Sequence, residues 1–353
     1  MRKGKRLVAW IMAVVMLFTI CVFGGNGTAE AAATTPVAKH GRLSVKGADL
    51  VDSKGNKFQL RGISTHGINW DVGSPYVNKK AFKTLRDDWG VNAIRLAMYT
   101  EEYNGYCSGG SQAKLRKLVD KGVGYATDLG MYAIIDWHIL SDGNPNKNKS
   151  QAKKFFTTMA KKYKNNKNVI YEICNEPNGC SWKEIKSYAT DIIKTIRKYD
   201  KKAVIIVGTP TWSQLGTDGT SNEVADSPIK GYKNIMYSLH FYASEWAHNE
   251  YLPAKVAYAR KKKLPILVSE FGLSPASGDG AINKASADKW MKLLNKYNIS
   301  YFCWSLSNKN ESASLLKPST KKTSGWKSGD LSTAGKYIKK KYLARKKALG
   351  KKA

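Results

Sequence analysis

The chain has 353 residues, 42% of them hydrophobic, which excludes a disordered polymer and suits a single barrel domain of about 250 residues plus insertions. Lys and Arg number 59 against 27 Asp and Glu, a net charge of +32 that would fit a polyanionic partner. Helix-turn-helix, zinc-finger and RNA-binding patterns are missing from the sequence and the lysines are spread over helix-like faces. Nucleic acid is therefore set aside, and the charge is read as solvated helix surface with weak attraction to an anionic cell wall.

The N-terminus carries Arg2, Lys3, Lys5 and Arg6, then an apolar run from Leu7 to Phe23, then Thr28-Ala29-Glu30-Ala31. This is the pattern of a secretory signal peptide over residues 1–31, cleaved after Ala31 or, alternatively, Ala33. An uncleaved membrane anchor is the competing reading, because the apolar run approaches a bilayer's thickness. Secretion, with no membrane association once the signal is removed, is the expectation. Export permits disulfides, yet Cys107, Cys174, Cys180 and Cys303 are too few and scattered for a stapled scaffold. Cys174 and Cys303 fall in strand patterns and read as core residues; Cys107 and Cys180 lie in loop-like sequence and are able to pair. No C-x-x-C or H-E-x-x-H spacing supports a metal site, and no cofactor is expected.

A short linker, residues 32–40, precedes two short strands around Leu43 and Asp49 that form a hairpin able to close one end of a barrel. From Gln59 onward, apolar strands alternate with amphipathic helices. Strands start near Gln59, Asn92, Met131, Val169, Ala203, Ile235, Pro265 and Ile299, with steps of a strand, a helix and two loops. Eight such units predict an α/β fold, a (β/α)₈ TIM barrel over residues 41–345. An open doubly wound sheet is the alternative, but Ser64 to Trp70 after the first strand lacks the G-x-G-x-x-G turn. The fifth unit is the weakest, since Ser213 to Pro228 is polar and loop-like. A last helix from about Ser332 runs into a basic tail, residues 346–353, expected to be disordered at its end.

Barrel active sites lie at the C-terminal ends of the strands, so what each strand ends in is the functional inventory. These ends hold His66 and Trp70, Arg95 and Tyr99, Asp136-Trp137-His138, Asn175-Glu176, Trp212, His240-Phe241-Tyr242, Glu270 and Trp304. The run Val169 to Gly179 reads as a buried strand stopped by Pro177. Alternation would put Glu172, Cys174 and Glu176 on one face, with the two glutamates roughly 13 Å apart. Mid-strand, Glu172 needs a partner such as Arg or a proton; Glu176, at the rim, is the candidate chemical group. Glu270 ends a second strand-like run, and a pair of carboxylates at two strand ends suggests glycoside hydrolysis. Tryptophan and tyrosine at the same rim suit the flat C–H faces of neutral sugars.

The motifs Leu60 to Gly67, Val91 to Leu96, Asp136-Trp137-His138, Ile170 to Pro177, Ser238 to Tyr242, Val268 to Gly272 and Phe302 to Leu306 together resemble glycoside hydrolase family five. The likeness is greatest to its bacterial secreted endo-β-1,4-glucanases (cellulases), and it spans about Gly41 to Ile338. It implies a retaining double displacement on β-glucan, with Glu176 as acid/base and Glu270 as nucleophile. Arg95 and Tyr242 would hold Glu270 ionised, Asn175 would grip a sugar hydroxyl, and His138 and His240 would orient the site. His66, Trp70, Tyr99, Trp212, Trp304, Lys309 and Glu311 match sugar-binding positions. Phe271 follows Glu270 where many relatives carry tryptophan, a change expected to affect packing alone.

Cellulose, mixed-linkage glucan, xyloglucan and mannan remain alternative substrates, because loop shape decides among them. A non-catalytic wall-attachment protein is the reading from a different class. A monomer is expected. No cellulose-binding module or long linker follows the barrel in this sequence, so action on soluble or amorphous chains more than crystalline ones is the expectation.

Overall fold

Eight parallel strands close into a barrel in the computed structural model, which describes residues 35–350. The proposed signal peptide and residues 351–353 lie outside the described residues. The barrel strands are β3 (Arg61–Thr65), β4 (Ala93–Tyr99), β5 (Tyr132–His138), β6 (Val169–Glu172), β7 (Ile205–Val207), β8 (Ile235–Tyr242), β9 (Ile266–Gly272) and β10 (Tyr301–Leu306), with β10 pairing β3 to complete the ring. The predicted starts agree within two residues. These segments are uniformly buried, so continuous apolar runs rather than alternation mark them.

The helices between them are α2 (Lys79–Trp89), α3 (Gln112–Asp128), α4 (Lys149–Tyr163), α5 (Trp182–Arg197), α8 (Trp246–Lys261), α9 (Lys284–Lys296) and α10 (Thr333–Gly350). Their apolar stripes face the strands. In α5, Ile185, Tyr188, Ala189, Ile192, Ile193 and Ile196 are buried, and a capping box of Ser181 and Glu184 fixes the start. The fifth unit lacks a long helix, as its polar sequence foretold; two single turns, α6 (Pro210–Ser213) and α7 (Glu223–Asp226), follow β7. Among the described residues, no helix is long and apolar enough to cross a membrane.

Below the barrel, β1 (Ser44–Lys46) and β2 (Asp49–Val51) pair antiparallel. Leu43, Leu50 and Phe58 beside them pack against Leu60, Ile134, Ile170, Ile206, Leu267 and Phe302 of the barrel interior, so the hairpin seals that end. Two expected boundaries shift. Part of the linker forms a short helix, α1 (Pro36–His40), docked by Val37 N–H donating to Gly130 O at 2.9 Å. The basic tail remains helical to Gly350, because α10 packs Tyr342 into the core and its hydroxyl donates to Gly62 O at 2.8 Å.

Candidate active site

At mid-height the barrel interior turns from apolar to ionic around one residue. Arg95, on β4 and fully buried, donates Nε to Glu172 Oε2 at 2.7 Å and Nη2 to Glu172 Oε1 at 3.1 Å. The same guanidinium reaches Glu270 Oε2 at 3.0 Å, Asn175 Oδ1 at 2.6 Å and Asp136 Oδ2 at 3.1 Å. Glu172 thus has the arginine partner that its mid-strand position demanded. A planar fork with five donors is the group able to bind so many acceptors at once.

The carboxyl groups outnumber the cation. Glu172, Asp136, Glu270 and Glu176 surround one guanidinium, so protons must remain on some of them. Burial, opposed by Arg95, pushes Asp136 up to about 7. Burial, with Asp136 and Glu172 adding repulsion against the pull of Arg95, pushes Glu176 up to about 8. The imidazoles move the other way: burial lowers His138 to about 3 and His240 to about 4, which keeps both rings neutral.

Glu176 lies just past the end of β6 with 13% of its side chain exposed. His240 Nδ1 meets its Oε1 at 2.7 Å, while the opposite ring nitrogen faces Ser269 Oγ at 2.8 Å. Glu270, on β9, accepts from the Tyr242 hydroxyl at 2.7 Å as well as from Arg95. One carboxylate oxygen of Glu176, one of Glu270 and a His240 nitrogen all lie within 4.8 Å of one another. His138 bonds Asp136 through Nδ1 and has Asn175 Nδ2 at 3.2 Å from Nε2. Its ring stacks on Trp304 at 5.3 Å.

Above this floor is a cleft of about 620 Å³. Every candidate named from the sequence lines it except Arg95 and Asn175, which lie beneath and bond the lining residues Glu270 and His138. Trp70 and Tyr99 have ring centroids 4.5 Å apart, and His66, Trp304 and the Lys309–Glu311 ion pair complete that end. His66 Nε2 stands 3.7 Å from Glu311 Oε1. Trp212, 43% exposed, stands at the other end in a turn whose residues Thr211, Trp212 and Ser213 are left-handed. Bonds from Trp212 N–H to Pro177 O at 3.0 Å and from Ser213 Oγ to Asn175 O at 2.7 Å tie this costly conformation to the Glu176 segment.

Sequence reasoning missed Glu102, Leu140, Gln214, Glu245 and His248 of the lining. Each sits within a few residues of a named strand end, in the loop that follows or, for His248, in the first turn of α8, and that place was the available signal.

Two expectations need correction. Glu172, Cys174 and Glu176 do not share one face, because regular strand stops at Glu172 and Cys174 packs beside Ile173 in the outer core. The chain's departure from extended geometry lets the imidazole of His240 stand between Glu176 and Glu172, 4.0 Å from the latter. Cys107 and Cys180 are both free thiols, held in separate loops after β4 and before α5. Phe271, by contrast, behaves as a packing residue, stacked on Phe241 at 5.2 Å and away from the cleft.

The profile of the cellulases (glycosyl hydrolase family 5) matches residues 51–310. An endoglucanase of Clostridium saccharobutylicum is 47% identical over 341 residues, covering 95% of this chain and 72% of its own length. Endoglucanase A of Butyrivibrio fibrisolvens is 45% identical over 85% of this chain and 68% of its own. Among solved structures, the catalytic domain of a Thermobifida fusca endoglucanase superposes with a TM-score of 0.81 at 37% identity, over 88% of this chain and 99% of that one. A variant of that domain, 36% identical to this chain, has been solved in complex with cellotetraose, with a TM-score of 0.80 over 88% of this chain and 99% of its own. The eightfold barrel, its paired strand-end glutamates and these likenesses make this chain a member of glycosyl hydrolase family 5, the cellulases.

Proposed function

We propose that the protein is a secreted endoglucanase that cuts internal β-1,4-glucosidic bonds of cellulose and related β-glucans with retention of configuration. The observation that carries this is the approach of Glu176 and Glu270 to within 4.8 Å across the cleft. Retaining enzymes hold their two carboxyl groups about 5 to 5.5 Å apart; inverting ones leave about 6.5 to 9.5 Å for a water. The endoglucanase relatives, and the cellotetraose held by the Thermobifida fusca domain, support a β-1,4-glucan as substrate.

Glu270 is the nucleophile. Two donors, Arg95 and the Tyr242 hydroxyl, fix its oxygens and aim the carboxyl into the cleft. Its attack on the anomeric carbon forms an ester while the bond to the leaving chain breaks, and the leaving oxygen takes the proton of Glu176. The raised pKa of Glu176 keeps that proton available near neutral pH. Glu176, now ionised, then accepts a proton from the water that cleaves the ester.

Neutral His240 positions the acid: with Glu176 protonated, the carboxyl donates to Nδ1 and Nε2–H donates to Ser269 Oγ. His138 and Asn175 keep Arg95 and the cleft floor in register. His66, Trp70, Tyr99, Trp212, Trp304, Lys309 and Glu311 bind the sugar chain.

Proton NMR of the first-formed product from cellohexaose tests the stereochemistry. The β-anomer is expected first, and an initial α-anomer would overturn the retaining mechanism. A panel of carboxymethylcellulose, mixed-linkage glucan, xyloglucan and mannan tests the substrate class, with the first two expected to be cut fastest.

A further inference from the structure

The large apolar side chains left exposed are Tyr103, Trp212, Trp246, Tyr251 and Leu343 among the described residues. All but Leu343 are aromatic and follow the C-terminal ends of barrel strands. Trp212 belongs to the cleft already described. Trp246 is the more telling case, since an indole 68% exposed leaves apolar surface in water that folding could have buried.

Its surroundings explain why it stands there. Glu245 and His248 flank it in the chain and both line the cleft. Glu245 Oε1 accepts from Ala276 N–H at 2.7 Å, and His248 Nδ1 accepts from the backbone N–H of Tyr242 at 2.9 Å, the residue whose hydroxyl holds Glu270. The start of α8 is thus bolted to the catalytic floor while the indole projects outward. Tyr251, one and a half turns later, meets it edge-on with centroids 5.8 Å apart. Tyr251 lies against Gly219, where an added Cβ would come within 2.8 Å of its ring. From the same helix, Lys255 Nζ donates to Gln214 O at 3.1 Å and to Asp218 O. α8 therefore grips the loop that carries Trp212, and its aromatic pair sits beside the cleft-lining Glu245 and His248.

We propose that Trp246, backed by Tyr251, is an additional sugar-binding platform that extends the cleft beyond Trp212 and engages a β-1,4-glucan chain too long for the cleft alone. The inference rests on the function proposed above. Continuity with the cleft through Glu245, His248 and the Trp212 loop selects a sugar chain as occupant. A neutral polymer with flat C–H faces fits paired aromatic rings.

Binding isotherms of cellotriose and cellohexaose, measured in a Glu270→Gln background that prevents turnover, test it. Trp246→Ala is expected to weaken cellohexaose about 5- to 10-fold, Tyr251→Ala about 2- to 3-fold, and Trp246→Phe to restore most of the loss; about 1.4 kcal/mol corresponds to each tenfold step. The loss on cellotriose is expected to be under about twofold, since a short chain need not leave the cleft. Equal losses on both lengths, or no loss on cellohexaose, overturn the proposal. So does a concentration-dependent dimer that Trp246→Ala abolishes without changing sugar affinity, which would assign the patch to a second copy of the chain. Wild-type protein inert towards cellohexaose would sink the hydrolase reading itself; an active wild type whose Trp246→Ala form binds unchanged sinks this inference alone.

Discussion

The lower and upper halves of the barrel interior are built on the same eight strands and differ in everything else. Below, Ile134, Ile170, Ile206, Leu267 and Phe302 meet the hairpin's Leu50 and Phe58 in a fully apolar plug. One strand-turn higher, Arg95, Asp136, Glu172 and Glu270 form a buried ionic layer, roofed by Tyr99 and Trp304. Apolar contacts of the first kind stabilise without directing chemistry. Buried charges of the second kind cost desolvation that only mutual pairing offsets, and what they supply is a set of fixed carboxyl groups, those of Asp136 and Glu172 pushed up by burial. In the proposed function, stability and catalysis are thus layered along one axis, and each prediction probes whether the layers are separable.

The largest effect is expected from Glu270→Ala, which should lower kcat on carboxymethylcellulose by about 10⁴-fold or more with the circular dichroism spectrum unchanged. Residual activity near wild type would reject its role as nucleophile. Arg95→Met strikes both functions of the upper layer. It should lose activity and also about 3 to 5 kcal/mol of stability in urea, because it leaves Glu172 and Glu270 buried without their cation. That loss should be greater at pH 8 than at pH 5, where Glu172, already raised by burial, takes up a proton instead.

In the lower layer, Ile134→Ala should cost about 2 to 5 kcal/mol by the same denaturation assay. Its kcat/KM should stay within about twofold of wild type, and a selective loss of kcat would show that the layers are coupled.

The pH dependence of Glu176 separates them more finely. Its folded pKa is raised to about 8 from an ordinary value of 4.5. The proton is therefore held more tightly in the folded state, and the stability linked to it, complete below about 4.5, is lost as pH rises through about 8. Hydrolysis should decline along that same alkaline limb. Glu176→Gln should be inactive, should melt above wild type at pH 9, and should show the difference closing towards pH 5. The smallest expected effect is that of Trp212→Ala, a rise in KM on carboxymethylcellulose of about 3- to 10-fold with little change in kcat, read from initial rates.

The positions of the strands were legible in the chain because parallel strands covered on both faces read as continuous apolar runs, and helices between them set a near-constant step. Glu176 and Glu270 were legible for a related reason: each follows such a run directly, before Pro177 or Gly272. The placement of Cys174 was not, since alternation holds only while the chain stays extended and β6 ends at Glu172. Trp246 gave no signal either, because an aromatic at a helix start reads equally well as core.

By itself the amino-acid order determined the eight βα units, the rim on which the chemistry sits and the residue types available there, since periodicity and turn chemistry act between near neighbours. Only the closed barrel decided the rest. It brought Arg95 within reach of groups 77 and 175 positions away along the chain. It also gathered four carboxyls around that one cation, and so raised the pKa of Asp136, Glu172 and Glu176. Those outcomes depend on distances through space and on the exclusion of water, and neither quantity is defined until the strands have closed.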